Sequence, residues 1–248
     1  MLDQTDRLQK GSDVTRSYRF YDIISAVFVT TIILSNILSS AKIVDFGITI
    51  GPLALAFDAG TLIFPVSYIF GDILTEVYGY RNSRRIIWLG FFSAALTGFF
   101  VWLAGVLPGE AEWQSYAGQQ AYDDILGGVS GLIVASLTAY WLGEFSNSYV
   151  LARMKIMTSG RWLWTRTIGS TIVGQGVDTI AFFLIATALG VFPPSLLITL
   201  IVTNYILKVG IEVILTPITL RIIPALKTAE NEDFYDYNTR FNPFRVEL

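Results

Sequence analysis

Neither cysteine nor histidine occurs anywhere among the 248 residues. Their absence excludes disulfides, Cys/His zinc sites, haem ligation by histidine, and every Ser–His or Cys–His nucleophile. Charge is scarce as well. Only 15% of the residues are Asp, Glu, Lys or Arg, against 53% hydrophobic, whereas soluble domains carry about a quarter charged. A membrane protein is therefore expected, with no enzymatic activity and no cofactor. The net charge of −3 argues against a nucleic-acid partner. The opening "MLDQTDRLQKGSDVTRSYRF" has no apolar core and no small-residue cleavage site, so no cleaved signal peptide is expected.

What is there is apolar and segmented. A helix needs about 20 mostly apolar residues to cross a hydrocarbon core, and six stretches qualify: 21–40, 61–78, 85–106, 127–150, 167–191 and 196–222. The expected fold is an all-α polytopic integral membrane protein with six transmembrane helices. A segment over 1–20 precedes a single six-helix transmembrane domain over 21–222, and a polar, aromatic tail over 223–248 is expected to be partly ordered at best. Between the first two spans, Gly47, Gly51, Pro52 and Gly60 punctuate short apolar runs. They predict a short extended or re-entrant segment, either a compact external loop or a lid.

Basic residues alternate along the chain. Arg7, Lys10, Arg16 and Arg19 precede the first span, and Arg81, Arg84 and Arg85 follow the second. Arg153, Lys155, Arg161 and Arg166 follow the fourth, and Arg221, Lys227, Arg240 and Arg245 the sixth. The intervening connections are acidic or neutral, as at Glu110, Glu112, Asp123 and Asp124. The positive-inside rule then places both termini in the cytoplasm. The fourth span also carries small residues every four positions, at Gly127, Gly131, Ala135, Ala139 and Gly143. Such a stripe admits a close helix partner, from the same chain or from a second copy in a homodimer.

Ionisable groups inside spans each cost about 2.5 kcal/mol or more on insertion scales, so each needs a reason. Asp72, Asp178 and Lys208 fall near the midplane, with Gln175 and Asn204 within a turn of them. Glu76, Glu144, Asn147 and Glu212 lie nearer the basic side, and Asn36, Ser39 and Lys42 nearer the other. Helical spacing puts Tyr68, Asp72 and Glu76 on one face. It does the same for Thr171, Gln175 and Asp178, for Glu144 and Asn147, and for Asn204, Lys208 and Glu212. The expectation is a polar, mostly acidic central cavity. It would hold a small polar heterocycle through carboxylates, amides and an aromatic ring, and its surplus carboxylate would offer a site for a coupled proton. Other roles stay open. Glu76 and Glu144 could neutralise Arg81, Arg84, Arg85 or Arg166, Lys208 and Glu212 could form an intrahelical pair, and Gln175 and Asn204 could join helices.

Four motifs carry a resemblance: "FPVSYIFGDILTEVYGY", "GEFSNSYVLARMK", "RTIGSTIVGQGVDT" and "NYILKVGIEVILTP". In this order they resemble the bacterial queuosine precursor transporter family, also called the vitamin-uptake-like transporter family, over essentially all of 21–222. The resemblance implies six spans in the inner membrane and uptake of a 7-deazaguanine: preQ0, preQ1 or queuine. It makes Asp72, Thr75, Glu76, Glu144, Asn147, Gln175, Asp178, Asn204, Lys208 and Glu212 the family's polar motif positions. After "EVYGY" the basic run "RNSRR" is sparser than the family pattern. Two other functions are weighed. A substrate-capture subunit of an energy-coupling-factor importer would need spaced alanines on the first span, which "DIISAVFVTTIILSNILSS" lacks. An intramembrane aspartyl hydrolase using Asp72 and Asp178 would need a glycine-aspartate motif, and "GQGVD" has one residue too many.

Overall fold

The computed structural model describes residues 18–50, 53–190, 194–237 and 239–244. Arg7, Lys10, Arg16, Gly51, Pro52 and Arg245, to which the sequence analysis assigned roles, lie outside the described residues. Helix α1 (Tyr21–Ala41) leads into an antiparallel hairpin of β1 (Ile43–Ile50) and β2 (Leu53–Asp58). Then follow α2 (Phe64–Val106), the short α3 (Ala111–Tyr116) and α4 (Gly118–Tyr122), α5 (Gly128–Met157), α6 (Leu163–Ala188) and α7 (Leu197–Glu230). The fold is all-α apart from that hairpin. Among the described residues, four helices, α1, α2, α6 and α7, are long and apolar enough to cross a membrane.

The distribution of side chains is inverted relative to a soluble protein. Leu34 on α1, Phe92 and Phe99 on α2, Ile180 and Leu184 on α6, and Ile206 and Ile214 on α7 all lie exposed. Asp72, Glu76, Glu144, Asn147, Arg166, Gln175 and Asp178 are buried. An apolar exterior of this extent is stable in lipid and not in water.

Helix α2 looks like one 43-residue element but is two. A straight helix would separate Thr75 from Ser83 by about 12 Å along its axis, yet their hydroxyls are 2.9 Å apart. The chain doubles back at Gly79, whose φ of 82° and ψ of 164° belong to a region that only glycine occupies readily. The arginines expected in a loop here, Arg81, Arg84 and Arg85, instead belong to the first turns of the returning limb. A hydroxyl triangle of Thr75, Ser83 and Ser148 (2.9, 3.0 and 3.1 Å) ties both limbs to α5. The apolar core sits alongside, where Phe28 and Ile32 of α1 meet Ile73, Leu74 and Ile87 of α2 and Tyr140 of α5.

The segment expected to be extended is so. Its pairing runs from Ile43 opposite Asp58 to Ile50 opposite Leu53, with an irregularity between Asp45 and Thr49. Gly47 supplies the left-handed φ of 66° there, and the Asp45 carboxylate accepts its N–H at 2.9 Å.

The tail departs from expectation. It is packed rather than loose: Phe234 N–H donates to the Val77 carbonyl, and Asp236 accepts the Tyr80 N–H at 3.1–3.2 Å. Arg84 donates to the carbonyls of Arg240 and Asn242, and Trp88 to that of Pro243. Val77 and Tyr80 flank Gly79, so the tail supplies backbone partners that the broken helix cannot. Polar composition misled because each of these contacts uses a backbone group on at least one side, and a backbone group leaves no trace in residue identity.

Candidate functional site

The site is assembled where the two-limbed α2 meets α5, α6 and α7, and glycines permit the approach. A Cβ on Gly143 of α5 would stand 2.7 Å from both Asp178 Cβ and the Tyr68 hydroxyl, and 3.2 Å from the Gly174 carbonyl oxygen. A Cβ on Gly174 of α6 would stand 2.7 Å from Asn147 Cβ and 3.1 Å from the Tyr68 ring. On α2, a Cβ at Gly71 would approach Glu144 Oε2 to 2.9 Å. The inner part of the small-residue stripe, Ala135, Ala139 and Gly143, is buried within this one chain. Gly143→Ala is expected to cost about 1–3 kcal/mol by overpacking, read as a lower unfolding temperature in detergent. An unchanged temperature would contradict the close crossing.

Around these glycines gather four carboxylates. Asp72 accepts the Asn147 amide at 2.8 Å, Asp178 pairs with Lys208 at 2.8 Å, and Glu212 accepts the Thr171 hydroxyl. Among the described residues Glu144 has no hydrogen-bond partner at either oxygen, and it is fully buried. The Tyr68 hydroxyl, also buried and unpartnered, lies within electrostatic range of Asp178, Glu144 and Glu212. Asn147 Oδ1, Thr179 Oγ1 and Glu212 Oε2 likewise have no partner, and the Gln175 amide lies beside Glu212 without a hydrogen bond of good geometry. Lys208 is the cation paired in this cluster; its ammonium sits 4.3 Å from the centre of the Phe64 ring, which in turn packs 5.5 Å from Tyr68.

So many buried, unpartnered polar atoms in one place are costly, at about 1–3 kcal/mol each. Sites that must bind something keep them, because native cores otherwise satisfy such groups. Four carboxylates against one ammonium leave the cluster acidic.

Not every predicted residue belongs to it. Asn36 bridges α1 and α5: its Oδ1 accepts the Ser136 hydroxyl at 2.7 Å and its Nδ2 donates to Ile32 O at 2.9 Å. Asn204 donates to Leu200 O within its own helix. Lys208 pairs across helices with Asp178, and Glu212 bonds to Thr171 instead of to Lys208.

Glu76 lies one turn beyond Asp72 and is the hub of an ion network. Arg166 grips it bidentately at 2.7 and 2.9 Å, Lys227 reaches it at 2.5 Å, and Lys155 at 3.5 Å. Asp233 of the tail pairs with Lys155 at 2.6 Å and Lys227 at 2.8 Å. Sequence reasoning named Arg166 as a candidate partner but missed Lys155, Lys227 and Asp233, which come from distant segments. It also missed Thr179 and Phe64. Both were open to detection: Thr179 continues the i,i+4 stripe of Thr171 and Gln175, and Phe64 stands one turn before Tyr68.

Burial pushes the Asp233 carboxyl up, but hydrogen bonds from Lys155 and Lys227 outweigh it and hold it below the ordinary carboxylate value. A lowered carboxyl stabilises the docked tail above its unfolded pKa of about 3.9, and that contribution is lost as pH falls through the lower folded value. A fluorophore on a Tyr237→Cys variant is therefore expected to keep its anisotropy from pH 7 to about pH 4 and lose it only below. Release at pH 6 would contradict the pairing.

Residues 58–222 match a family model described as "Putative vitamin uptake transporter". The chain belongs to this family. It is a family of transporters, in agreement with the expectation of no enzymatic activity. Among relatives, a "Probable queuosine precursor transporter" of Bacillus subtilis (strain 168) is 32% identical over 170 residues, which cover 68% of this chain and 72% of the relative. The "Queuosine precursor transporter" of Escherichia coli (strain K12) is 31% identical over 127 residues, covering 51% and 53%. A "Probable queuosine precursor transporter" of Haemophilus influenzae is 28% identical over 127 residues, covering 51% and 50%. The matched region thus spans about half the length of these last two. No solved structure matches the chain. The family match encloses the whole acidic cluster, from Phe64 to Glu212, and ends at residue 222 before the tail.

Proposed function

We propose that this member of the vitamin-uptake transporter family is a secondary transporter importing a 7-deazaguanine precursor of queuosine (preQ0, preQ1 or queuine) across the bacterial inner membrane. The observation that carries it is the buried acidic cluster with unpartnered groups on Tyr68, Glu144, Asn147 and Gln175, in a chain whose relatives bear that transporter's name. The chemistry fits. A carboxylate such as Glu144 can accept a ring N–H and an adjacent exocyclic amine, an amide can answer a ring carbonyl, and Tyr68 can stack on the ring. Asn36, Glu76 and Asn204 are assigned supporting roles, because their polar groups are engaged with other parts of the protein.

Six spans are the topology that best accommodates these elements. The reversal at Gly79 makes α2 two passes, and α5, at 30 residues, has length enough for one more at 1.5 Å per residue. The Glu76 network supports a single basic side, since it joins the Arg166, Lys155 and Lys227 ends of three helices. By the positive-inside rule that side is cytoplasmic. The surplus of carboxylates over Lys208 supports proton coupling, with a proton or a cationic group on the substrate offsetting the excess charge.

In cells unable to make the precursor, Asp72→Asn or Asp178→Asn is expected to abolish uptake while the protein still inserts. Normal uptake by both variants would sink the site. Lys208→Met tests the coupling: uptake should fall and its pH dependence shift, since Asp178 loses its partner. If neither changes, Lys208 serves only to pack α7 against α6.

A further inference from the structure

The tail does more than fill a surface. Glu76 forms the floor of the acidic cluster, one helical turn from Asp72, and four helices converge on it: α2 with the carboxylate itself, α5 with Lys155, α6 with Arg166 and α7 with Lys227. Along α6 the buried face reads Arg166, Ser170, Thr171, Gln175, Asp178, from the network to the cluster without a break. Any passage from the cluster to the basic side must part these groups.

The tail locks them from outside. Lys155 donates to Asp233 at 2.6 Å, to Phe234 O at 2.6 Å and to Glu76 O at 2.7 Å, and lies 4.6 Å from the Tyr235 ring centre. Phe234 occupies the space that Gly79 leaves, 2.2 Å from where a Cβ would stand, and the Tyr235 hydroxyl is 2.1 Å from the corresponding point on Gly160, in the α5–α6 turn. Glu230, at the end of α7, accepts the Arg19 and Phe20 N–H groups at the start of α1 and the Tyr78 hydroxyl. The tail thus packs against Gly79 and Gly160 and pairs with Lys155 and Lys227, two of the three cations in the network.

Charge makes the lock conditional. Lys155, Arg166 and Lys227 carry three positive charges, and Glu76 supplies one negative. Asp233 brings a second, and without it the cations repel one another.

We propose that residues 231–237 are a latch that holds the basic-side gate shut, with Asp233 as the bolt, so that undocking of the tail accompanies opening of the acidic site to that side. The latch rests on the transporter reading only for what passes through the gate; its closure can be tested without any substrate.

The absence of cysteine makes the test direct. In a Ser170→Cys variant the reporter is buried between the network and the cluster, its parent hydroxyl bonded only to Thr167 O. A charged, membrane-impermeant thiol reagent is applied to each side of sealed vesicles, with exposed Met157→Cys showing which side is the basic one. Adding Asp233→Asn is expected to speed Ser170→Cys labelling from the basic side by about fivefold or more, the response to a shift on the order of 1 kcal/mol. Labelling from the opposite side should not rise, and Asp233→Glu should restore the slow rate. Unchanged labelling would overturn the latch. Faster labelling from both sides, or a rate that Asp233→Glu does not restore, would show general loosening and overturn it equally. If the latch holds while precursor uptake proves absent, the substrate assignment fails alone.

Discussion

Gly79→Ala is expected to be among the most damaging single substitutions in the chain, costing roughly 2–6 kcal/mol from backbone strain and overpacking together. Two independent penalties meet there. An alanine would be forced into φ 82°, ψ 164°, a region that side chains scarcely enter. Its Cβ would also lie 2.2 Å from Phe234 Cδ1 and 2.9 Å from Cγ, close to the root of a ring that cannot swing away without undocking the tail. The protein can relieve the strain only by straightening α2 or by expelling Phe234. The measurement is thermal unfolding in detergent, together with protease sensitivity of the tail. Wild-type behaviour in both would mean that the limbs do not reverse at Gly79. Phe234→Ala combined with Gly79→Ala should recover the overpacking share and leave the strain share.

Glu76→Gln is expected to cost about 3–5 kcal/mol, the usual result of removing one partner from a buried ion network. The side chain is fully buried, and Arg166 and Lys155 are 1–2% exposed, so water cannot replace the lost charge. Three cations would remain with Asp233, itself half exposed. Unfolding in detergent should fall on the order of 10 °C, with lower yield of inserted protein. Asp72→Asn provides the contrast. Its neighbour Asn147 can still be satisfied by an amide oxygen, so stability should hold while transport is lost. An unaltered unfolding temperature for Glu76→Gln would return Glu76 to the binding cluster, where its helical spacing with Asp72 first placed it.

Much of the fold is legible in the sequence because lipid imposes a simple rule: long apolar runs span, and basic residues mark one side. The helix bounds differ mostly at that side. Helix α7 continues to Glu230 rather than ending at residue 222, and α5 to Met157 rather than residue 150, because ion pairs stabilise these ends where hydropathy fades. Within the site, i,i+3 and i,i+4 spacing shows which residues share a face, as Tyr68 does with Asp72 and Gln175 with Asp178. Pairing across helices is what spacing cannot supply. Lys208 is one turn from Glu212 yet bonds to Asp178, and Glu76 is one turn from Asp72 yet faces Arg166. The tail was least legible, since its hold on Val77, Tyr80 and Arg84 runs largely through the backbone.

The most direct measurement is transport by the purified protein alone in proteoliposomes, with unlabelled preQ1 inside, labelled preQ1 outside, and unlabelled preQ0, queuine and guanine as external competitors. The account predicts saturable exchange that at least one 7-deazaguanine suppresses better than guanine does. It also predicts that Glu144→Gln lowers exchange by about 10- to 100-fold, the loss of one charged hydrogen bond worth 1.5–3 kcal/mol. Absence of exchange without a further subunit, or exchange untouched by Glu144→Gln and Asp72→Asn, would contradict it.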